Sequence, residues 1–101
     1  MKPNQRQALE RLIAIAKRDS GQCKRVADFL LSWWNAHHCG GWCTTDLWSV
    51  DHAIAQDIFV VLGFIAEESI YPGELGYHDD FQEILRQWRP HFFIAATEEI
   101  E

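Results

Sequence analysis

No run of about 18 consecutive apolar residues occurs in the sequence, which leaves no segment able to span a bilayer as a helix. The opening MKPNQRQALERL lacks an apolar core followed by a small-residue cleavage site, so it does not read as a secretory signal. Cysteine is scarce and odd in number. Cys23, Cys39 and Cys43 make no disulfide framework and read as free thiols of a reducing compartment. These absences together predict a cytoplasmic protein. Proline and glycine are too few for a low-complexity tract, and no repeat or flexible linker divides the chain. Residues 1–101 are therefore expected to form a single helical domain, with an ordered core over about 5–94 and a frayed tail at 97–101. Hydrophobic residues make up 48% and charged residues 24%, a balance that excludes intrinsic disorder.

Catalytic signatures are missing as well. There is no Gly-x-Ser-x-Gly elbow, no glycine-rich phosphate loop and no His-Glu-x-x-His pair. Asp51 and His52 are neighbours, so on a helix they point about 100° apart and cannot support one another. Cys39 or Cys43 could in principle pair with a histidine as thiolate and imidazolium, but the spacing singles out no such couple. The sharpest chemical cluster is HHCGGWC, which gathers His37, His38, Cys39 and Cys43. Zinc needs about four nitrogen or sulfur ligands, whereas this Cys-x3-Cys has no second pair; His52, His78 or His91 would have to complete it. The expectation is a non-enzyme with no metal and no cofactor.

Positive charge is nearly absent beyond residue 25. Residues 1–25 hold seven basic side chains (Lys2, Arg6, Arg11, Lys17, Arg18, Lys24, Arg25) against Glu10 and Asp19, a net of +5. Residues 26–101 hold thirteen acids against Arg86 and Arg89, a net of −11. Such an asymmetry predicts either a basic end and an acidic body, or mutual neutralisation within the monomer.

What is present is helical periodicity. Over about 5–18, Leu9, Leu12, Ile13 and Ala16 line one face, with Arg11 and Arg18 opposite; Gly21 is expected to stop this helix. Over about 22–37, Val26, Phe29, Leu30, Trp33 and Trp34 form a broad apolar stripe, with Lys24, Asp28 and Asn35 opposite and His37 half-buried beside Leu30 and Trp33. A third helix begins at 46 or 50 and runs to 67. Leu47, Ile54, Ile58, Val61, Leu62 and Ile65 occupy one face, and apolar residues flank it so widely that it is expected at the centre. Pro72-Gly73 marks a turn. A fourth helix from about Asp79 to before Pro90 buries Phe81, Ile84, Leu85 and Trp88, and the tail from Phe92 could add a short helix or packing strand before a solvated TEEIE. The fold class is all-α, a compact bundle of four to five helices with the third helix central.

Tryptophan is abundant. Trp33, Trp34, Trp48 and Trp88 fit core positions, whereas Trp42 rides on a Gly-Gly loop and is the candidate exposed binding anchor, unless it folds back to lid the core. Arg11, Arg18 and Lys24 are the candidate basic contacts of a helix-turn-helix reading of residues 5–37.

The stretches VADFLLSWWNAHHCGGW, TDLWSVDHAIAQDIF and YPGELGYHDDFQEILRQWRP, within residues 8–90, resemble a family of short uncharacterised helical proteins from proteobacterial plasmids and integrative elements. The resemblance is to a domain of unknown function and supplies no catalytic residues. It implies an accessory role in a mobile genetic element. The reading that follows is a non-catalytic regulatory protein acting on a protein partner, with a host-defence inhibitor as a subcase. The alternative is a small DNA-binding regulator using the basic N-terminal hairpin, which the acidic remainder disfavours.

Overall fold

The computed structural model describes residues 1–92, and the expectations for the segment beyond Phe92 and for TEEIE concern residues outside those described. Four α-helices and two 3-10 helices make up the described chain, with no strand among the described residues. The all-α bundle read from periodicity is the observed fold.

Helix α1 spans Pro3–Ala16. Proline suits the first helical position because its missing N–H would have no intrahelical partner there. The Gln5 side chain accepts from the Lys2 backbone N–H at 2.9 Å and closes that end. Ala8, Leu9, Leu12, Ile13 and Ala16 are buried on one face. Gly21 does not terminate this helix. It is the first residue of α2 (Gly21–Cys39), whose cap is Ser20, with Oγ accepting from the Cys23 N–H at 3.2 Å. A local side-chain cap outweighed the glycine signal, and a Cβ at Gly21 would meet nothing within 4 Å.

Helix α2 is broken at Asn35 (φ −161°, ψ 83°). The Asn35 side-chain oxygen accepts from the His38 N–H at 3.3 Å, the bond of an N-cap, so a fresh turn starts there. That break carries His37 out to solvent and corrects its expected half-buried place. Upstream, Val26, Ala27, Phe29, Leu30 and Leu31 are buried as the stripe requires. Asp28 is buried too, contrary to its expected place on a polar face.

A 3-10 helix over Thr44–Ser49 precedes α3 (His52–Glu67), which settles the uncertain start of the third helix. A second 3-10 helix, Pro72–Leu75, leads to α4 (His78–Trp88). Asp79 and Asp80 sit in the first turn of α4, where the helix dipole favours them.

The third long helix is not the central one. Helix α1 packs against α2, α3 and α4, whereas α3 lies chiefly on α1. Its buried residues Ala55, Ile58, Val61 and Phe64 form a single stripe, and Phe59 is 52% exposed. Apolar composition all round therefore did not mean enclosure all round. Trp33 joins the layers, its ring edge-on to Phe64 of α3 at 6.3 Å and to Phe81 of α4 at 6.2 Å. Trp88 donates its indole N–H to the Ala16 carbonyl at 2.6 Å, and Arg6 donates to the hydroxyl of buried Tyr77 at 2.7 Å. These two bonds hold α1 at both ends.

Adjacent residues of α3 test this orientation. Ile58 is 1% exposed, so Ile58→Asp buries an unpaired charge and should cost about 4 kcal/mol in urea unfolding. Phe59→Asp, one position on, should stay within about 1 kcal/mol of the parent. Equal losses would contradict the placement.

Candidate functional site

Four of the seven basic side chains of residues 1–25 pair with acids from later in the chain. Arg11 meets Asp57 of α3 in a fork, Nε to Oδ2 and Nη2 to Oδ1 both at 2.9 Å, and this hydrogen bonding followed by the charge attraction raises the Arg11 pKa. Lys17 lies 2.6 Å from Asp80 and 3.1 Å from Glu83 of α4, and its pKa is raised first by the Asp80 bond. Lys24 pairs with Asp28 at 2.9 Å, and Arg25 stands 3.9 Å from Asp46. Arg18 has no acidic partner within 4 Å among the described residues; Gln87 bonds only its backbone carbonyl, at 2.7 Å.

Of the three basic contacts expected from sequence, Arg11 and Arg18 are brought together and Lys24 is not. Arg11 and Arg18 flank an open groove of about 540 Å³ between α1 and α3, floored by Ala14, Ile15, Ala53 and Ile54. Lys24 sits on α2, committed to Asp28.

The HHCGGWC segment is dispersed by its glycines. A Cβ on Gly40 would stand 2.7 Å from the Ala36 carbonyl oxygen, and Gly41 has φ +142°, so both positions need glycine. The sharp turn leaves Cys39 buried and Cys43 exposed. His37 and His38 are exposed, with His38 stacked on Phe92 at 5.2 Å. No group of three or more His, Cys, Asp or Glu among the described residues could hold a metal ion. Burial pushes the Cys39 thiol pKa up, partly offset by the charge of Arg89. Cys43 is held below the usual thiol value by Thr45, whose hydroxyl lies 3.0 Å from the sulfur and whose backbone N–H also points at it.

Trp42 folds back over the core, half-buried and edge-on to Phe29 at 5.1 Å. Its indole nitrogen is buried and makes no hydrogen bond among the described residues. The exposed tryptophan is instead Trp48, at 84%. Its apolar neighbours suggested a core position. The 3-10 geometry of Thr44–Ser49 changes the phase, however, and no residue of that element is buried. Tyr71 is also 61% exposed, beside a cleft of about 200 Å³ that Trp33, Ile65 and Ile70 help to line. The sequence reading passed over this cleft, although Ile70 and Tyr71 before a Pro-Gly turn are two large apolar side chains in a loop.

Fold and surface define a small α-helical bundle with paired internal charges, exposed aromatic side chains and no assembled catalytic constellation among the described residues. The chain belongs to DUF7673, a family of unknown function, which matches it over residues 6–89. No curated protein and no solved structure matches the chain. No helix among the described residues is long and apolar enough to cross a membrane.

Two measurements check this segment. Trp42→Phe keeps the contact with Phe29 and removes an N–H without a partner, so it should cost under about 1 kcal/mol, while Trp42→Ala should cost about 3. Iodoacetamide should label Cys43 first in the native protein, reaching its maximal rate at lower pH than a free cysteine because the thiolate is the nucleophile. Cys23 and Cys39 should react only on unfolding. Preferential labelling of Cys39 would contradict the placement.

Proposed function

We propose that this chain is a non-catalytic accessory protein that binds a cationic protein partner through its acidic surface. The observation that supports this reading most is the internal use of the basic segment. Arg11, Lys17, Lys24 and Arg25 are each matched to an acid of the body. Asp51, Glu67, Glu68, Glu74 and Asp79 carry no cationic partner within 4 Å among the described residues. Surplus acid and the exposed side chains of Trp48 and Tyr71 are thus what the molecule offers a neighbour. Aromatic side chains serve as anchors at interfaces, and complementary charge speeds encounter. Trp48 takes the anchoring role first considered for Trp42. The resemblance to proteins of plasmids and integrative elements adds the setting: a cytoplasmic mobile-element product, with inhibition of a host-defence protein as the sharpest form.

DNA binding by the basic hairpin is the weaker reading. Two of its three expected contacts, Arg11 and Lys24, would first have to leave Asp57 and Asp28, and the net charge of −6 repels phosphate.

Capture of partners from the source cell, followed by kinetics with the recovered protein, tests the proposal. Association should slow as salt rises, Trp48→Ala should raise the dissociation rate about tenfold, and joint replacement of Arg11 and Arg18 by alanine should leave both rates within about twofold. A duplex DNA bound at micromolar affinity in physiological salt, with a steep salt dependence, would overturn it.

A further inference from the structure

We infer that the cleft between the last turn of α3 and the segment 68–71 seats one large apolar side chain from a lysine- or arginine-rich segment of a partner protein. This rests on the protein-binding reading above and gives it a location. The cleft is lined by Trp33, Ile65, Glu68, Ser69, Ile70 and Tyr71 and offers about 200 Å³. Its walls are apolar and its polar groups sit at the rim, the pattern of a side-chain pocket.

The walls are also set in advance. Trp33 donates its indole N–H to the Ile70 carbonyl at 3.2 Å, while its ring is wedged against Phe64 and Phe81. The Tyr71 N–H donates to the Glu74 carboxylate at 3.2 Å, which fixes the start of the 3-10 helix Pro72–Leu75. A pocket held in its bound shape before the partner arrives loses less entropy on binding.

Charge selects the occupant. Glu67 is the last residue of α3 and Glu68 its C-cap, and the last turn holds no basic residue. Two carboxylates therefore stand at the negative end of the helix dipole, the wrong sign for that position. Lys2 lies across a neighbouring shallow cleft from them without an ion pair under 4 Å. Glu74 adds a third carboxylate close to Tyr71. A lysine or arginine flanking the seated side chain would bring a cation within ion-pair distance, which neither Lys2 nor the Met1 amine of that neighbouring cleft does, whereas phosphate backbones and anionic lipid surfaces would be repelled. The α1–α3 groove is the lesser candidate, because its Arg11 is already matched by Asp57.

The test uses capped hexapeptides with the full chain: Lys-Lys-Leu-Phe-Lys-Lys, the charge-only Lys-Lys-Ala-Ala-Lys-Lys, and the reversed Glu-Glu-Leu-Phe-Glu-Glu. The first should bind with a Kd on the order of 100 μM, as befits one anchored side chain, and should shift the Trp33 indole N–H signal in the NMR spectrum. The other two should bind at least about tenfold more weakly. Tyr71→Ala should weaken the first peptide about tenfold. Tyr71 is exposed, so this variant keeps its fold. Glu67→Lys with Glu68→Lys should reverse the preference between the first and third peptides. Equal binding of the two basic peptides, an unmoved Trp33 signal, or indifference to Tyr71→Ala would each overturn the inference. If Trp48→Ala, rather than Tyr71→Ala, weakens the first peptide, the cleft is refuted while the protein-binding reading stands. Failure of every peptide refutes the cleft alone, because the wider reading is judged on the captured partner.

Discussion

The ion pair between Asp28 and Arg89 fixes α2, the turn that follows it and the end of α4 at one point. Arg89 follows the last turn of α4, and its Nη2 donates to Asp28 Oδ1 at 2.7 Å and to the Cys39 carbonyl at 3.4 Å. Lys24 reaches the other Asp28 oxygen, so a carboxylate only 4% exposed has a cation on each side. The Gly40-Gly41 turn and the end of α4 meet at this point; a Cβ on Gly41 would lie 3.6 Å from the same guanidinium. A buried pair of this kind adds little net stability over apolar packing, because desolvation offsets most of the attraction. Its effect is on arrangement. Any alternative docking of α4 or of the loop would leave Asp28 buried beside Lys24 alone, and a poorly compensated buried charge costs several kcal/mol.

The same logic runs outward from this pair to the surface. Bridges from Arg11 to Asp57, from Lys17 to Asp80 and Glu83, and from Arg25 to Asp46 each tie the N-terminal third to an element later in the chain. Singly, such exposed pairs are worth at most about 1 kcal/mol. Their combined consequence is electrostatic rather than mechanical. A +5 segment folded against a −11 remainder leaves a net charge of −6, and among the described residues the acids without an ion pair outnumber Lys2, Arg6 and Arg18, which also lack one. A net charge of that sign gives the molecule a field that attracts cations and repels anions at a distance.

The apolar stripes of α1, upstream α2 and α4 were legible in the sequence because their periodicity and their burial coincide: Leu9, Leu12, Phe29, Leu30, Phe81 and Ile84 all lie where the 3.6-residue repeat puts them. Legibility failed where a local or distant polar contact overrode the pattern. Asn35 reads as one more polar residue of α2, yet its side chain caps a new turn and displaces the two histidines. Asp28 fits a solvated face until a partner 61 residues away is known. Trp42 takes the fold-back alternative that the sequence left open, whereas Trp48 leaves its expected core position because it lies in a 3-10 element, whose residues repeat every three rather than every 3.6. The Trp33 cleft was invisible for a related reason, since its walls come from α2, α3 and a loop whose approach only tertiary structure defines.

Sequence, pattern and packing agree through most of this bundle, and they disagree in a few identifiable places. Trp48 presents an indole to water, Tyr71 a phenol, and the end of α3 carries two carboxylates where the helix dipole calls for cations. None of these features helps the isolated chain. Exposed aromatic rings hold structured water that a contact would release, and unmatched carboxylates repel one another until a cation arrives. The Trp33 cleft lies beside two of the three, lined by Tyr71 and by Glu68 at the end of α3, and the Trp33 indole N–H bonds the Ile70 carbonyl in its wall. An apolar recess bordered by carboxylates is complementary in shape and charge to an apolar side chain flanked by cations. Under the proposed protein-binding reading, that edge is where charge and shape together are least matched by the chain's own residues.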